Sequence, residues 1–316
     1  MKKLLNLCLV LVVGLVLVGC NSTKKSEDVV KIGIIQIVDH ESLDATRNGF
    51  TNKLSELGYK DGENIEIDYQ NAQGDQANLK TIAAKLAKNS DLVLAIATPS
   101  AQAIATETTD IPILITAVTD PIDAGLVKSL DKPSTNVSGT SDAVDVNKQV
   151  QLIKKMKDVK SVGLIYNASE TNSKIQIDEA KVALKEAGLT SHEATVATTN
   201  DIKQAMTSLA KKVDAIYVPT DNTLASGMAS VGEIAKESKL PVITGATEQA
   251  QAGGLASYGV NYSKLGEQTA DMAARILKGE VKISEMPIEK SKEFTLYIND
   301  EMAKILGIDK SILTVD

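Results

Sequence analysis

Two stretches carry side chains whose types and spacing suit non-covalent capture of a small charged solute. One is Asp91-Leu-Val-Leu-Ala-Ile-Ala-Thr-Pro-Ser, and the other is Asp214-Ala-Ile-Tyr-Val-Pro-Thr-Asp-Asn-Thr. Each begins as an apolar run of the kind buried on both faces of a parallel sheet, then turns at once into hydroxyl and acid residues. In the first, Thr98 can be a helix N-cap and Pro99 the first helical residue, where its missing N–H costs nothing. A strand that runs into a helix start sets free backbone N–H groups at the carboxyl edge of a sheet, where open α/β folds bind ligands. Ser100 at that helix start, with the hydroxyls of Thr98 and Thr119, could hold a carboxylate without any arginine. An ammonium would need a shielded carboxylate, and Asp221 and Glu248 are the candidates. Each acid also has a plainer role: Asp221 as a helix cap, Glu248 as a solvated side chain, and Asp120, before Pro121, as a turn former.

The residues that end the other strands complete the candidate set. In the first half it comprises Thr98, Ser100, Val118, Thr119 and Asp120; in the second, Tyr166, Asn167, Thr220, Asp221, Asn222 and Glu248. Tyr166 fits the core as well as a cleft. No catalytic constellation accompanies them. The two histidines are isolated: His40 follows the first strand, and His192 lies in a polar segment. The chain has no nucleophile elbow, no phosphate-binding loop and no Gly-x-Gly-x-x-Gly. We therefore expect no enzyme, no metal site and no cofactor.

The elements that must position these residues are legible in order. Residues 1–19 have the form of a signal peptide, with Lys2 and Lys3 before an apolar run too short to span a membrane comfortably. The run ends in Leu17-Val-Gly-Cys20, the pattern of a lipobox, and residues 20–28 form a polar tether. Lipidation of Cys20 would anchor the mature chain. Loss of Lys2 and Lys3 takes the formal charge from −7 to −9, which argues against nucleic acid as a partner. The other cysteine, Cys8, lies in the leader, so the mature fold has no disulfide.

From residue 29 strands alternate with helices, which implies parallel sheets covered on both faces. The second half repeats the first. Lys31-Ile-Gly-Ile-Ile is answered by Ser161-Val-Gly-Leu-Ile, and Leu57-Gly58 by Ala187-Gly188. Ile111-Pro-Ile-Leu-Ile-Thr is answered by Leu240-Pro-Val-Ile-Thr, and the two stretches above answer each other. Two lobes of like topology would set their carboxyl edges face to face across a cleft.

These features, with Thr98-Pro-Ser-Ala-Gln, Val118-Thr-Asp-Pro, Pro219-Thr-Asp-Asn-Thr and Gly253-Gly-Leu-Ala-Ser-Tyr-Gly, resemble the ABC-transporter substrate-binding lipoproteins of type I periplasmic-binding fold. Within them the resemblance is to the tryptophan/tyrosine/phenylalanine-type uptake group. It implies an α/β fold of two Rossmann-like βα lobes joined by a three-segment hinge. We place residues 29–140 with 260–288 in one lobe and 141–259 with 289–316 in the other. The resemblance further implies an extracytoplasmic, lipid-anchored monomer that binds an L-amino acid, aromatic ones included. Its partners would be an ABC permease and its ATPase. A sugar or nucleoside receptor, or a sensory protein uncoupled from transport, is the alternative. A transcriptional regulator on the same lobes would carry a DNA-binding segment where this chain has a leader.

Overall fold

The computed structural model describes residues 29–315. The expected signal peptide, Cys20 and tether lie outside the described residues. The first lobe opens with β1 (Val30–Gln36), α1 (Glu41–Glu56), β2 (Ile65–Asn71), α2 (Gln76–Asn89), β3 (Leu92–Ile96), α3 (Thr98–Glu107), β4 (Ile113–Val118) and β5 (Val137–Ser141). The second contains α4 (Val146–Lys154), β6 (Ser161–Asn167), α5 (Thr171–Glu186), β7 (Thr190–Val196), α6 (Ile202–Leu209), β8 (Ala215–Val218) and α7 (Asn222–Ser226). It continues with α8 (Met228–Ser238), β9 (Val242–Thr244), α9 (Thr247–Ala252) and β10 (Ala256–Val260). The chain then forms α10 (Tyr262–Leu277), β11 (Glu289–Lys290), β12 (Phe294–Ile298) and α11 (Asp300–Leu306).

Two six-stranded sheets result, ordered β11-β5-β4-β3-β1-β2 and β12-β10-β9-β8-β6-β7. All pairings are parallel except β10 with β12. Position for position, the two sheets follow the same winding, as the internal repeat requires. This is the type I periplasmic-binding architecture expected from the sequence. The chain passes between the sheets after β5, after β10 and between β11 and β12.

The repeated glycines have physical reasons. A Cβ at Gly33 would lie 2.6 Å from Ser90 Oγ, and one at Gly163 would lie 2.6 Å from a Leu209 methyl. Each glycine lets the helix that follows the second strand of its lobe settle against the sheet. Gly58 and Gly188 have φ of +93° and +76°, the left-handed residue that ends α1 and α5. Central strands β3 and β4 are buried along their whole length, which is why their sequences read as unbroken apolar runs.

Helix α10 returns to the first lobe and packs on α1 at two glycines. A Cβ at Gly49 would fall 2.2 Å from the Ser263 carbonyl oxygen, and one at Gly266 would fall 2.0 Å from that of Thr46. Backbone on both sides leaves nothing flexible to give way. Gly266→Ala should therefore push the helices apart and cost about 1–3 kcal/mol, as overpacking usually does. In thermal melts that is a fall of a few degrees; an unchanged Tm would show that the contact is looser than described.

Candidate functional site

The carboxyl edges of the two sheets face each other across a narrow cavity of about 20 Å³, room for about one water molecule. From the first-lobe side it is lined by His40, Ser42, Thr119, Asp142 and Tyr262. From the second come Asn172, Thr220, Asp221, Asn222 and Gln249. Leu43, Ala117, Ala225 and Ala246 supply apolar surface. Ala117 has φ +54°, a left-handed residue at a break in register at the end of β4.

The lobes are hydrogen-bonded to each other. His40 Nε2 lies 3.2 Å from Asn222 Oδ1. The Asn222 amide donates through Nδ2 to Glu170 Oε2, so its oxygen faces His40 and the imidazole donates. Ser42 Oγ donates to Glu248 Oε2 at 3.2 Å. Gln176 Nε2 donates to Thr119 Oγ1 at 3.2 Å and also to Thr220 Oγ1. The cleft is thus described in a closed arrangement. Burial is the largest influence on His40 and lowers its pKa to about 4, against the Asn222 bond and the nearby Asp44 and Asp39, which favour the charged ring.

The structure gathers four of the sequence candidates on the cavity: Thr119, Thr220, Asp221 and Asn222. Asp221 is wholly buried and already bonded. Its Oδ2 accepts from the Asn167 N–H at 2.6 Å and Ser173 Oγ at 2.7 Å, and its Oδ1 caps α7 through the Leu224 N–H at 2.8 Å. Burial, then the charge of Glu170, push its carboxyl well above the usual range. The capping role is therefore real. Glu248 is off the cavity wall and spans the lobes through Ser42; burial raises its pKa as well.

The other candidates stand elsewhere. Helix α3 starts one residue earlier than expected, with Ala97 as N-cap at φ +78° and no side-chain cap, so Thr98 does not cap it. The Thr98 and Ser100 hydroxyls are buried without a hydrogen-bond partner and do not line the cavity. Val118 is fully buried in the apolar core. Asp120 accepts from the N–H groups of Ile122 and Asp123, forming a turn. The Tyr166 hydroxyl donates to Glu193 at 2.9 Å, away from the cavity. Asn167 lies behind the wall, where its Nδ2 donates to Thr223 Oγ1.

Sequence reasoning did not single out Asp142, Asn172, Gln176 or Tyr262. Glu170 is buried and organises the second-lobe wall, accepting from the backbone N–H groups of Asn222 and Thr223 and from both their side chains. Asp142 directly follows β5, so the rule that picked out the other strand ends would have found it. Arg47, by contrast, is engaged within the first lobe: it bonds Gln36, pairs with Asp44 at 3.0 Å and lies over the Tyr69 ring.

Residues 31–313 match the family model described as ABC transporter substrate binding protein. The chain belongs to that family. Its members are extracytoplasmic; among the described residues no helix is long and apolar enough to cross a membrane. The chain is 42% identical to a tyrosine-binding protein of Clostridioides difficile, over 98% of this chain and 93% of that one. A Streptococcus pneumoniae structure in complex with L-Trp is 42% identical with a TM-score of 0.86, covering 90% of this chain and 97% of that one. The ligand-free, open structure of a Clostridium difficile substrate-binding protein with adhesive properties is 49% identical, over 89% of this chain and 96% of that one. Its TM-score is only 0.68. The more identical chain thus fits less well, as a difference in lobe arrangement would produce.

The bonds to Asp221 predict how its variants behave. Asp221→Ala orphans three buried donors. Asp221→Asn can still cap α7, since Asn caps about as well as Asp, but it turns an amide NH₂ toward the Asn167 N–H and Ser173. Both should lower the stability of the ligand-free protein, the Asn variant by about 1–3 kcal/mol, measured by thermal or urea melts. A wild-type melt for Asp221→Asn would contradict the bonding described.

Proposed function

We propose that the protein is the ligand-capturing receptor of an ABC importer and that its ligand is an L-amino acid with an aromatic side chain. The observation that carries this reading is the closed cleft, whose fold overlays better on the L-Trp-bound relative than on a more identical open one. The tyrosine-binding relative supports the same ligand class. The lining supports it too, since polar groups from both lobes surround a few apolar contacts. The protein acts by binding alone. Its partners are the permease and ATPase, and it works as a monomer held to the outer face of the membrane by lipidated Cys20.

Closure is the working step. A ligand that touches both lobes favours the closed state in proportion to its extra contacts there. In titration calorimetry we expect L-tyrosine, L-tryptophan or L-phenylalanine to bind, with compaction seen in small-angle scattering at saturation. Binding of neutral sugars or nucleosides instead would overturn the reading. Cys20→Ala should release the protein from membranes; unchanged retention with normal processing would remove the lipid anchor from the account.

The same closure should depend on pH. His40 is neutral when closed, with a pKa near 4, and nearer its ordinary 6.5 when opening exposes it. The closed state therefore binds fewer protons. Its stability is complete above about 6.5 and is lost as pH falls toward 4. Affinity should weaken on acidification across that window by at most about tenfold per pH unit. His40→Gln should make the profile shallower; an identical profile would show that His40 does not report closure.

A further inference from the structure

Two buried oxygens on the cavity wall have no hydrogen-bond partner, and both are acceptors. The first is Asp142 Oδ1. Asp142 is 4% exposed and sits where the chain first leaves the β5 sheet. Its other oxygen, Oδ2, accepts from the Tyr262 hydroxyl at 2.7 Å. Tyr262 begins α10, at the second crossing, so the pair ties two crossings together. Burial raises the Asp142 pKa; the influences that favour its charge are the Tyr262 and Thr119 hydroxyls and its own backbone N–H, with no cation among them.

The second is Asn172 Oδ1, in the first turn of α5 on the opposite lobe. Asn172 is likewise 4% exposed. Its orientation is fixed, because its Nδ2 donates to the Thr220 carbonyl at 2.9 Å and to Glu170 Oε2 and Ser173 Oγ at 3.3 Å. The carbonyl and the carboxylate cannot donate in return, and the Ser173 hydroxyl donates to Asp221, so the amide cannot flip without losing these bonds. Among the described residues, the cavity wall holds no unpartnered buried side-chain nitrogen to match these oxygens.

An anion carrying a free lone pair on one side, and an amide oxygen on the other, call for a group that only donates. An ammonium does so: it has three N–H donors, no acceptor, and the charge that Asp142 lacks beside it. We propose that Asp142 and Asn172 form an ammonium site closed between the lobes, in which Asp142 Oδ1 and Asn172 Oδ1 accept from the α-ammonium of the captured amino acid. The assignment rests on the amino-acid reading above and moves the charged contact from Asp221 and Glu248, whose carboxylates are engaged by protein groups, to Asp142. It also makes the ammonium a sensor of closure, because the two acceptors belong to different lobes.

The test compares L-tyrosine with 3-(4-hydroxyphenyl)propionate, which lacks only the amino group, and with tyramine, which lacks only the carboxylate. Calorimetric titration of wild type should show the desamino compound binding at least a hundredfold more weakly than L-tyrosine. Asp142→Asn keeps the shape and an acceptor for Tyr262. It should weaken L-tyrosine binding by about 10- to 100-fold, the scale of one hydrogen bond to a charged group, while leaving the desamino compound nearly unchanged. Tyr262→Phe, which keeps the charge, should preserve the preference for the amine. Equal affinity of wild type for L-tyrosine and its desamino analogue overturns the proposal without needing a folded variant, and so does an Asp142→Asn protein with the wild-type preference. Asp142-dependent binding of tyramine in a wild type that ignores amino acids would support the ammonium site and defeat the amino-acid reading. A wild type that binds neither amine defeats both.

Discussion

Closing two lobes over a cleft takes polar atoms out of water, and each one left unpaired costs about 1–3 kcal/mol. That constraint orders the whole centre of this protein. His40 meets Asn222, Ser42 meets Glu248, and Thr119 receives Gln176. Within the second lobe, Glu170 and Asp221 take up the backbone N–H groups that the start of α7 exposes. The bonds that span the lobes are few, and those of His40 and Ser42 are only partly shielded. A ligand that pairs the remaining acceptors supplies what the protein's own groups do not.

The fold was legible because its determinants are local and occur twice. Buried strands of a parallel sheet must be apolar throughout, and helix ends need a left-handed glycine, so the two lobes carry the same punctuation at the same spacing. Gly33 and Gly163 illustrate the depth of this: neither sits at a turn, and both are explained by a helix that would collide with a Cβ. Gly266 has no counterpart signal in the sequence, because the carbonyl it accommodates belongs to Thr46, far away along the chain.

The site was legible in part, and the division follows from geometry. Residues just past a strand's carboxyl end face the cleft, which brings Thr119, Thr220, Asp221 and Asn222 together. Val118, one position earlier, faces the core, because successive strand residues point to opposite faces. At α3 the helix begins one residue sooner than the Thr-Pro-Ser pattern implies, a rotation of about 100° per residue, and Thr98 and Ser100 do not line the cavity. Asp142 obeys the strand-end rule but sits in a crossing between lobes, where the segment reads as connection. Asn172 and Gln176 lie on α5, and no nearby residue marks them; only the packing of α5 against the strand ends brings Asn172 to the cavity and Gln176 against Thr119 and Thr220.

The account therefore turns on where a positive charge goes when the cleft closes. A crystal structure of the protein with L-tyrosine or L-tryptophan bound, at a resolution that orients the ligand, would answer this directly. The ligand nitrogen should lie between Asp142 Oδ1 and Asn172 Oδ1, about 3 Å from each. A nitrogen held instead by Asp221 or Glu248, with Asp142 facing water or an apolar part of the ligand, would contradict it.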